Sequence, residues 1–586
     1  MKNLNKYIIV SVLFSWILLY SCSEDWLKPK PKSFFTPENV YHEPEGLEAI
    51  LVTLRKSLKR EHTGNMHWFA SEFAASDLGS PWSQLDFFNL TPSSSVYYPF
   101  LSMFTDVYKI IKSANIIISR IDGVEWNSQE HRDLILSEAL FHRAYWYYRL
   151  VHNYGDVPFI GDEIDEVRLD FQTHSRVAIL DKIQEDLEYA TQHLPPSVGP
   201  GGISRYAALH LLTKVYMADL EFDKAIQAAT EVIDGPFELM NERFGQDAGD
   251  NNRNVIWDLH RPPNINLPTN TETILTFVDR YEGPPEARSA GLYTMRLYNP
   301  QWMQSQVRDS EGNPGMVAEG PQYDSLGRGN SNVRLTASYQ YHIWNYKGQT
   351  WRNTTDLRRA DINWVDIHEL RYNNPESVDY GKVVNSDYFA QQVDTFKHLY
   401  AIPHYIMYVP MDDANATPVG GNGDWYLFRL AGTHLLRAEA HFWKGNLAAA
   451  AEDLNVVRSR ANALPVTPEE VDIDFILDER ARELFAEEPR HNELVRISYI
   501  LATQQKDGYS LDNFHEKNFY FDRVMRYNKT YEQKIELLGN TANMAPFHVL
   551  WPIPESIITA NTLATINQNK GYDGAENNVP PLENIE

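Results

Sequence analysis

Cysteine is almost absent: one in 586 residues, Cys22. No intramolecular disulfide can form, and cysteine-rich zinc or iron–sulfur sites are excluded. Positive charge is also scarce. Lys and Arg number 53 against 79 Asp and Glu, a net charge of −26. That argues against nucleic acid as a partner, since polyanions are held by a basic surface. Beyond the N-terminus no apolar run is long enough to span a membrane. Catalytic signatures are missing too: no Gly-x-Ser-x-Gly elbow, HExxH zinc pair, Walker loop or dinucleotide fingerprint. Hydrophobic residues at 43% still provide a packed core, which excludes global disorder. Neither a cofactor nor a metal is expected.

The position of the single cysteine is informative. Lys2 and Lys6 precede an apolar run, Tyr7 to Tyr20, of signal-peptide length. Leu19-Tyr20-Ser21-Cys22 then resembles a bacterial lipobox, with Tyr20 bulkier than the usual occupant. Residues 1–21 are therefore expected to be a lipoprotein signal peptide and Cys22 the lipidated residue. Two or more acyl chains make a stable anchor. Ser23-Glu24-Asp25 resembles the surface-export signal of Bacteroidetes lipoproteins. The expected location is the outer membrane, lipid-anchored and facing the cell exterior. Loss of Lys2 and Lys6 takes the net charge to −28.

Helical periodicity dominates residues 22–234. Tyr108 to Ile121, Leu134 to Tyr154 and Val177 to Leu194 each carry apolar residues at helical spacing. Tyr206 to Leu220 and Phe222 to Ile233 make a helix pair in which alanines alternate with Leu212, Tyr216 and Phe222. Leu427 to Trp443 and Leu447 to Ala463, joined by Gly445-Asn446, repeat that arrangement in residues 425–586. Small-against-large packing of short antiparallel helices is the tetratricopeptide style. Residues 235–424 differ, being rich in Pro, Gly, Asn, Tyr and Trp, with Ile274 to Phe277 as a minor strand. The expected fold is mainly α: tetratricopeptide-like helix pairs as a scaffold, with a loop-rich subdomain inserted in mid-chain. Loops held by a rigid scaffold are where binding sites tend to lie.

Possible chemistry is limited. Glu479, Glu483, Glu487 and Glu488 have helical spacing suited to a glycosidase-type carboxylate pair. Arg480, Arg482 and Arg490 are interleaved with them, which predicts intrahelical ion pairing instead. His152, His210 and His434 sit on predicted helices and read as packing residues. Asp412-Asp413 with Gly420 to Asp424 offers oxygens of the kind Ca²⁺ takes, in a spacing that fits no recognised calcium loop. Aromatics are plentiful, with 14 Trp, 33 Tyr and 26 Phe, enough to supply exposed rings as well as core.

Several segments together resemble the SusD/RagB family of outer-membrane nutrient-binding lipoproteins. Glu138 to Ala144 (EALFHRA), continuing to Tyr154-Gly155-Asp156-Val157-Pro158, resembles its "EA-x-x-x-RA…YGDVP" helix and exit turn. Arg429 to Ala440 with Leu454 to Ala461 resembles "LL-x-AEA…LN-x-VR-x-RA", and Leu477 to Arg496 the following stretch. Trp551-Pro552-Ile553-Pro554 and Gln568 to Tyr572 resemble "PIP…QNPGY", with Lys570 in place of Pro. Glu138, Arg143 and Arg458 in these segments read as buried polar contacts between helices. The resemblance implies a non-catalytic protein that captures a glycan and delivers it to a TonB-dependent SusC-like transporter. A peptide-binding RagB-like protein is the alternative, and a surface glycosidase a weaker one. It also implies an aromatic arc for sugar faces. The candidate ligand residues are Asp77, Trp82, Trp302, Trp344 and Trp351.

Overall fold

The computed structural model describes residues 41–65, 67–81, 89–94, 99–390, 395–537 and 540–585. Residues 1–21, expected to be a signal peptide, and Cys22 and Trp82 lie outside the described residues. The first half of the chain is a succession of helices: α1 (Pro44–Ser57), α2 (Trp68–Ala74), α3 (Pro99–Arg120), α4 (Gln129–Tyr154), α5 (Arg176–His193), α6 (Arg205–Ala218) and α7 (Phe222–Ile233). Serines set three of the starts. Ser128, Ser175 and Ser204 each accept a hydrogen bond through Oγ from the backbone N–H three residues on, satisfying donors that a helix leaves unpaired.

Helix α4 is the centre of this half. Its sequence shows an apolar side, yet from Ser137 to Tyr154 every residue is buried. A helix buried all round must find partners for its polar side chains. Glu138 accepts two bonds from Arg55 at 2.5 and 2.6 Å. Arg143 forks onto Asp186, both bonds 2.7 Å long. Arg149 reaches Glu61 at 2.7 Å and also Glu72. Gly155 then ends the helix at φ +68°, where a Cβ would meet Leu550 Cδ1 at 2.8 Å.

Between α7 and residue 424 the structure is irregular. Its helices are short, the longest described being the six residues Pro321–Leu326. One of them, α8 (Val255–Leu259), starts where Asn254 Oδ1 accepts from the N–H groups of Ile256 and Trp257. Two antiparallel ribbons tie this segment to the rest. Strand β1 (Gly79–Pro81) belongs to the first half, β2 (Thr273–Phe277) and β3 (Val333–Leu335) to the loop-rich segment, and β4 (Trp425–Arg429) to the second helical half. β1 pairs with β3, and β2 with β4.

The chain then returns to helices: α9 (Leu430–Trp443), α10 (Leu447–Arg460), α11 (Ile473–Glu483), α12 (Arg490–Thr503) and α13 (Phe519–Tyr527). Leu427, expected at a helix start, lies in β4, because pairing with β2 extends the backbone up to Arg429. The two helix pairs meet: α6 packs on α7, α7 on α9 and α9 on α10. Buried alanines face the contacts, among them Ala225, Ala229, Ala431 and Ala450. This is the small-residue packing expected of a mainly helical, tetratricopeptide-like fold. One continuous core runs through both halves and the loop-rich segment, joining Phe141, Trp302, Tyr339 and Phe485. Among the described residues no helix is long and apolar enough to cross a membrane.

The glutamates of α11 are ion-paired, but not mainly within their own helix as the sequence suggests. Glu479 meets Arg358 at 2.8 Å and Arg458 at 2.5 Å, with Arg482 as its one intrahelical partner at 2.7 Å. Glu483 meets Arg358 and Arg429. Burial opposes ionisation of Glu479, and the charges of Arg358, Arg458 and Arg482 overcome it and hold its carboxyl below the usual range. These carboxylates are buried ion-pair partners, with no access for a substrate.

Candidate functional site

A cleft of about 710 Å³ opens where the loop-rich segment meets the end of the β2–β4 ribbon. Register places it there. Phe277 faces Trp425, so the residues following β2 and those preceding β4 run side by side and form one wall. Asp279 and Asp424 pin this wall. Asp279 accepts from Lys59 Nζ at 2.8 Å, from Ser289 N–H at 2.8 Å and from Asn422 Nδ2 at 2.8 Å. Asp424 accepts from Arg280, from Asn266 Nδ2 and from the N–H of Asp279. Gly423 is needed here, since a Cβ would meet Pro262 Cβ at 2.7 Å.

The opposite wall is a stack of rings and guanidinium groups. Trp257 of α8 is buried, its Nε1 donating to Asp247 at 2.8 Å. Arg253 and Arg261 lie over its ring, 3.6 and 4.0 Å from the centroid. His404 stacks on Tyr408 at 5.0 Å. Arg261 also donates to the carbonyls of Tyr405 and Tyr408, clamping the turn that carries Tyr408. Burial pushes the Arg261 guanidinium down to about 9 and the His404 imidazole down to about 3. At neutral pH the charged Arg261 of the lining is therefore accompanied by a neutral His404, which stacks on Tyr408 without itself lining the cleft.

Groups free to meet a ligand lie at the mouth. Tyr281 is 43% exposed, with Arg288 over its ring at 4.9 Å, and Tyr408 is half-buried. Pro262, Pro263 and Pro410 add apolar surface. Gln246, Glu282 and Asp412 are exposed polar side chains of the lining. Partial burial and the charge of Glu282 hold the Asp412 carboxyl above its usual range. Rings beside amide and carboxylate oxygens suit a ligand with apolar faces and many hydroxyl groups.

The four described candidates named from sequence, Asp77, Trp302, Trp344 and Trp351, fall elsewhere. Asp77 is 1% exposed, and its carboxylate is taken by Arg490 at 2.8 and 2.7 Å and by Arg523 at 2.7 Å. Trp302 is fully buried, its Nε1 bonded to the Gly327 carbonyl, and Trp344 is 2% exposed, bonded to the Tyr339 carbonyl. These three are corrected to interior positions, because no face or oxygen of theirs is open to a ligand. Trp351 is half-buried beside Tyr341, with Arg352 4.1 Å from its centroid, and is not part of the cleft lining. Tyr281 and Tyr408 were missed; the signal at Tyr281 was a ring between Arg280 and Glu282, a charged setting that other tyrosines of the loop-rich segment share, and Tyr408 has no such neighbours. Asp424, weighed as a Ca²⁺ ligand, is occupied by Arg280, and no group of three or more His, Cys, Asp or Glu among the described residues is placed to hold a metal. His152, His210 and His434 pack as expected, bonded to Tyr148 O, Thr433 Oγ1 and Asp453.

Fold and cleft together define a class: a tetratricopeptide-like helical scaffold that presents a ring-walled binding cleft from inserted loops. Comparison with known proteins gives the family. A model described as "SusD family" matches residues 298–572, and one described as "Starch-binding associating with outer membrane" matches residues 25–217. The chain belongs to the SusD/RagB family. It is 24% identical to SusD-like protein P25 of Formosa agariphila over 603 aligned residues, covering 98% of this chain and all of that protein. A structure described as a laminarin-binding SusD-like protein superposes with a TM-score of 0.60 at 19% identity, over 90% of this chain and 99% of that one. Surface glycan-binding protein A from Bacteroides uniformis superposes with a TM-score of 0.59 at 17% identity, over 90% and 99%. At such identities the likeness is one of fold. These two neighbours are described as binding proteins, not as enzymes.

Proposed function

We propose that this protein captures a glycan at the cell surface and passes it to a TonB-dependent SusC-like transporter, held at the outer membrane by lipid on Cys22. The observation that carries the reading is the open cleft with Tyr281 and Tyr408 at its mouth, on a scaffold of this family. Sugar C–H faces stack on such rings, which offer area at low entropic cost. Gln246, Glu282 and Asp412 then meet the hydroxyl groups. The neighbours described as laminarin-binding and glycan-binding support carbohydrate over peptide. Trp351, outside the cleft lining, and Trp82 remain stacking candidates.

The test is affinity electrophoresis of the soluble form, from Ser23 onward, through gels containing neutral and acidic polysaccharides. Retardation by a glycan is the expected result. Unhindered migration in every gel, with heat released on titrating oligopeptides, would replace the glycan by a peptide cargo.

A further inference from the structure

A second groove, of about 800 Å³, lies far along the sequence from the cleft residues, between the chain that follows α4 and the C-terminal segment 582–585. Two bonds of 2.9 Å zip these segments together, Leu582 N–H to Thr173 O and Ser175 N–H to Leu582 O. Phe159, Ile164, Phe171 and Ile585 give the groove an apolar lining. Its charge is one-sided. Glu163 is balanced by Arg120 and Asp170 by Arg168. Asp165, Glu166 and Glu583 also line it, and no ion pair joins them to a described cation. Val167, on the same loop, is 89% exposed. Such a surface complements a segment that is both basic and aromatic.

This chain contains such a segment, and it arrives at the right place. The described residues begin at Tyr41, whose ring lies 5.4 Å from the Arg120 guanidinium. That guanidinium donates to both carboxylate oxygens of Glu163, at 2.6 and 2.9 Å, on the groove itself. Just upstream the sequence reads Trp26-Leu27-Lys28-Pro29-Lys30-Pro31-Lys32-Ser33-Phe34-Phe35. Lysines alternate with prolines between two apolar pairs. Prolines favour an extended chain that loses little entropy on docking. From Phe35 to Tyr41 an extended chain reaches about 20 Å.

We propose that residues 26–35 of this chain dock in this groove, lysines against Asp165, Glu166 and Glu583, rings against Phe159 and Phe171. Only Ser23, Glu24 and Asp25 then separate the docked segment from Cys22. With lipid on Cys22, the groove side of the body is held within about 15 Å of the bilayer surface, which fixes the direction the cleft faces.

Trypsin reads this directly. Lys28 and Lys30 precede prolines, where trypsin does not cut, so Lys32–Ser33 is the reporting bond. In the soluble form from Ser23, cleavage there is expected to be about tenfold slower than in the variant Asp165→Asn, Glu166→Gln, Glu583→Gln, at any protein concentration. Equal rates overturn the proposal, and so does protection that appears only as concentration rises, which would mean a second copy fills the groove. Should the triple variant fail to fold, disulfide trapping decides. The soluble form has no cysteine, so Lys30→Cys with Glu166→Cys is expected to cross-link on mild oxidation, and Lys30→Cys with Asp413→Cys is not. Equal cross-linking of the two pairs overturns the proposal.

Discussion

The helical scaffold and the loop-rich segment solve the same problem by different means. In the scaffold, buried polarity is carried by ion pairs between helices. Glu439 sits between Arg480 and Arg496 at 3.2 and 2.7 Å, all three fully buried. The loop-rich segment has buried ion pairs as well, Arg358 with Asp356 and Arg359 with Asp366, but there buried backbone also has to be satisfied by side chains. Trp302, Trp344 and Trp364 each donate Nε1 to a backbone carbonyl of this segment at 2.7 to 3.0 Å. A helix meets its own backbone hydrogen bonds, so its side chains are free to pair with each other. A loop does not, and its tryptophans become fasteners. The accessible rings of the cleft lining are consequently the tyrosines Tyr281 and Tyr408, while Trp302, Trp344 and Trp364 sit inward.

The comparison can be broken in four ways, from the largest effect to the smallest. Acid should unfold both regions together, because they share one core. Burial depresses His67, His404 and His491 to about 3 and His548 to about 4, against an ordinary 6.5. Each contributes stability that is intact above pH 6.5 and lost as pH falls below it, by up to about 1.4 kcal/mol per pH unit, since the unfolded chain binds the proton first. Tryptophan fluorescence and far-ultraviolet dichroism should follow one transition on acidification; two separate midpoints would mean two bodies. Next, Glu439→Ala leaves Arg480 and Arg496 short of charge in the scaffold and should lower unfolding free energy by about 3–5 kcal/mol in urea titrations. Trp344→Phe keeps a ring but strands the Tyr339 carbonyl, with an expected loss of about 1–2 kcal/mol by the same assay. Tyr281→Ala, at the rim, should change stability by less than about 0.5 kcal/mol while weakening glycan binding.

Sequence legibility divides along the same line. Helical periodicity and alanine-rich faces located α5, α6 and α7 closely, because these signals are local, whereas α3 begins at Pro99 and α4 at Gln129, well before the expected Tyr108 and Leu134. The ordered motifs around Glu138, Arg143 and Arg458 pointed to buried contacts, and each is found in one. The loop-rich segment was recognised as such, yet its inside and outside were not. Whether Trp302 faces water depends on the Gly327 carbonyl, 25 residues away, and no periodicity reports that. Asp77 failed for a related reason, its partners Arg490 and Arg523 lying more than four hundred residues on in the chain. The rim tyrosines owe their position to the β2–β4 register and the Arg261 clamp, both tertiary facts.

The most direct test of the central claim uses the soluble chain and the double variant Tyr281→Ala, Tyr408→Ala, run side by side in the gel of whichever glycan retards the parent. With the melting temperature of the variant within a few degrees of the parent, retardation should fall by about tenfold or more in affinity, roughly 1.4 kcal/mol. An equally retarded variant would show that the glycan is held elsewhere on the surface and that this cleft is not its site.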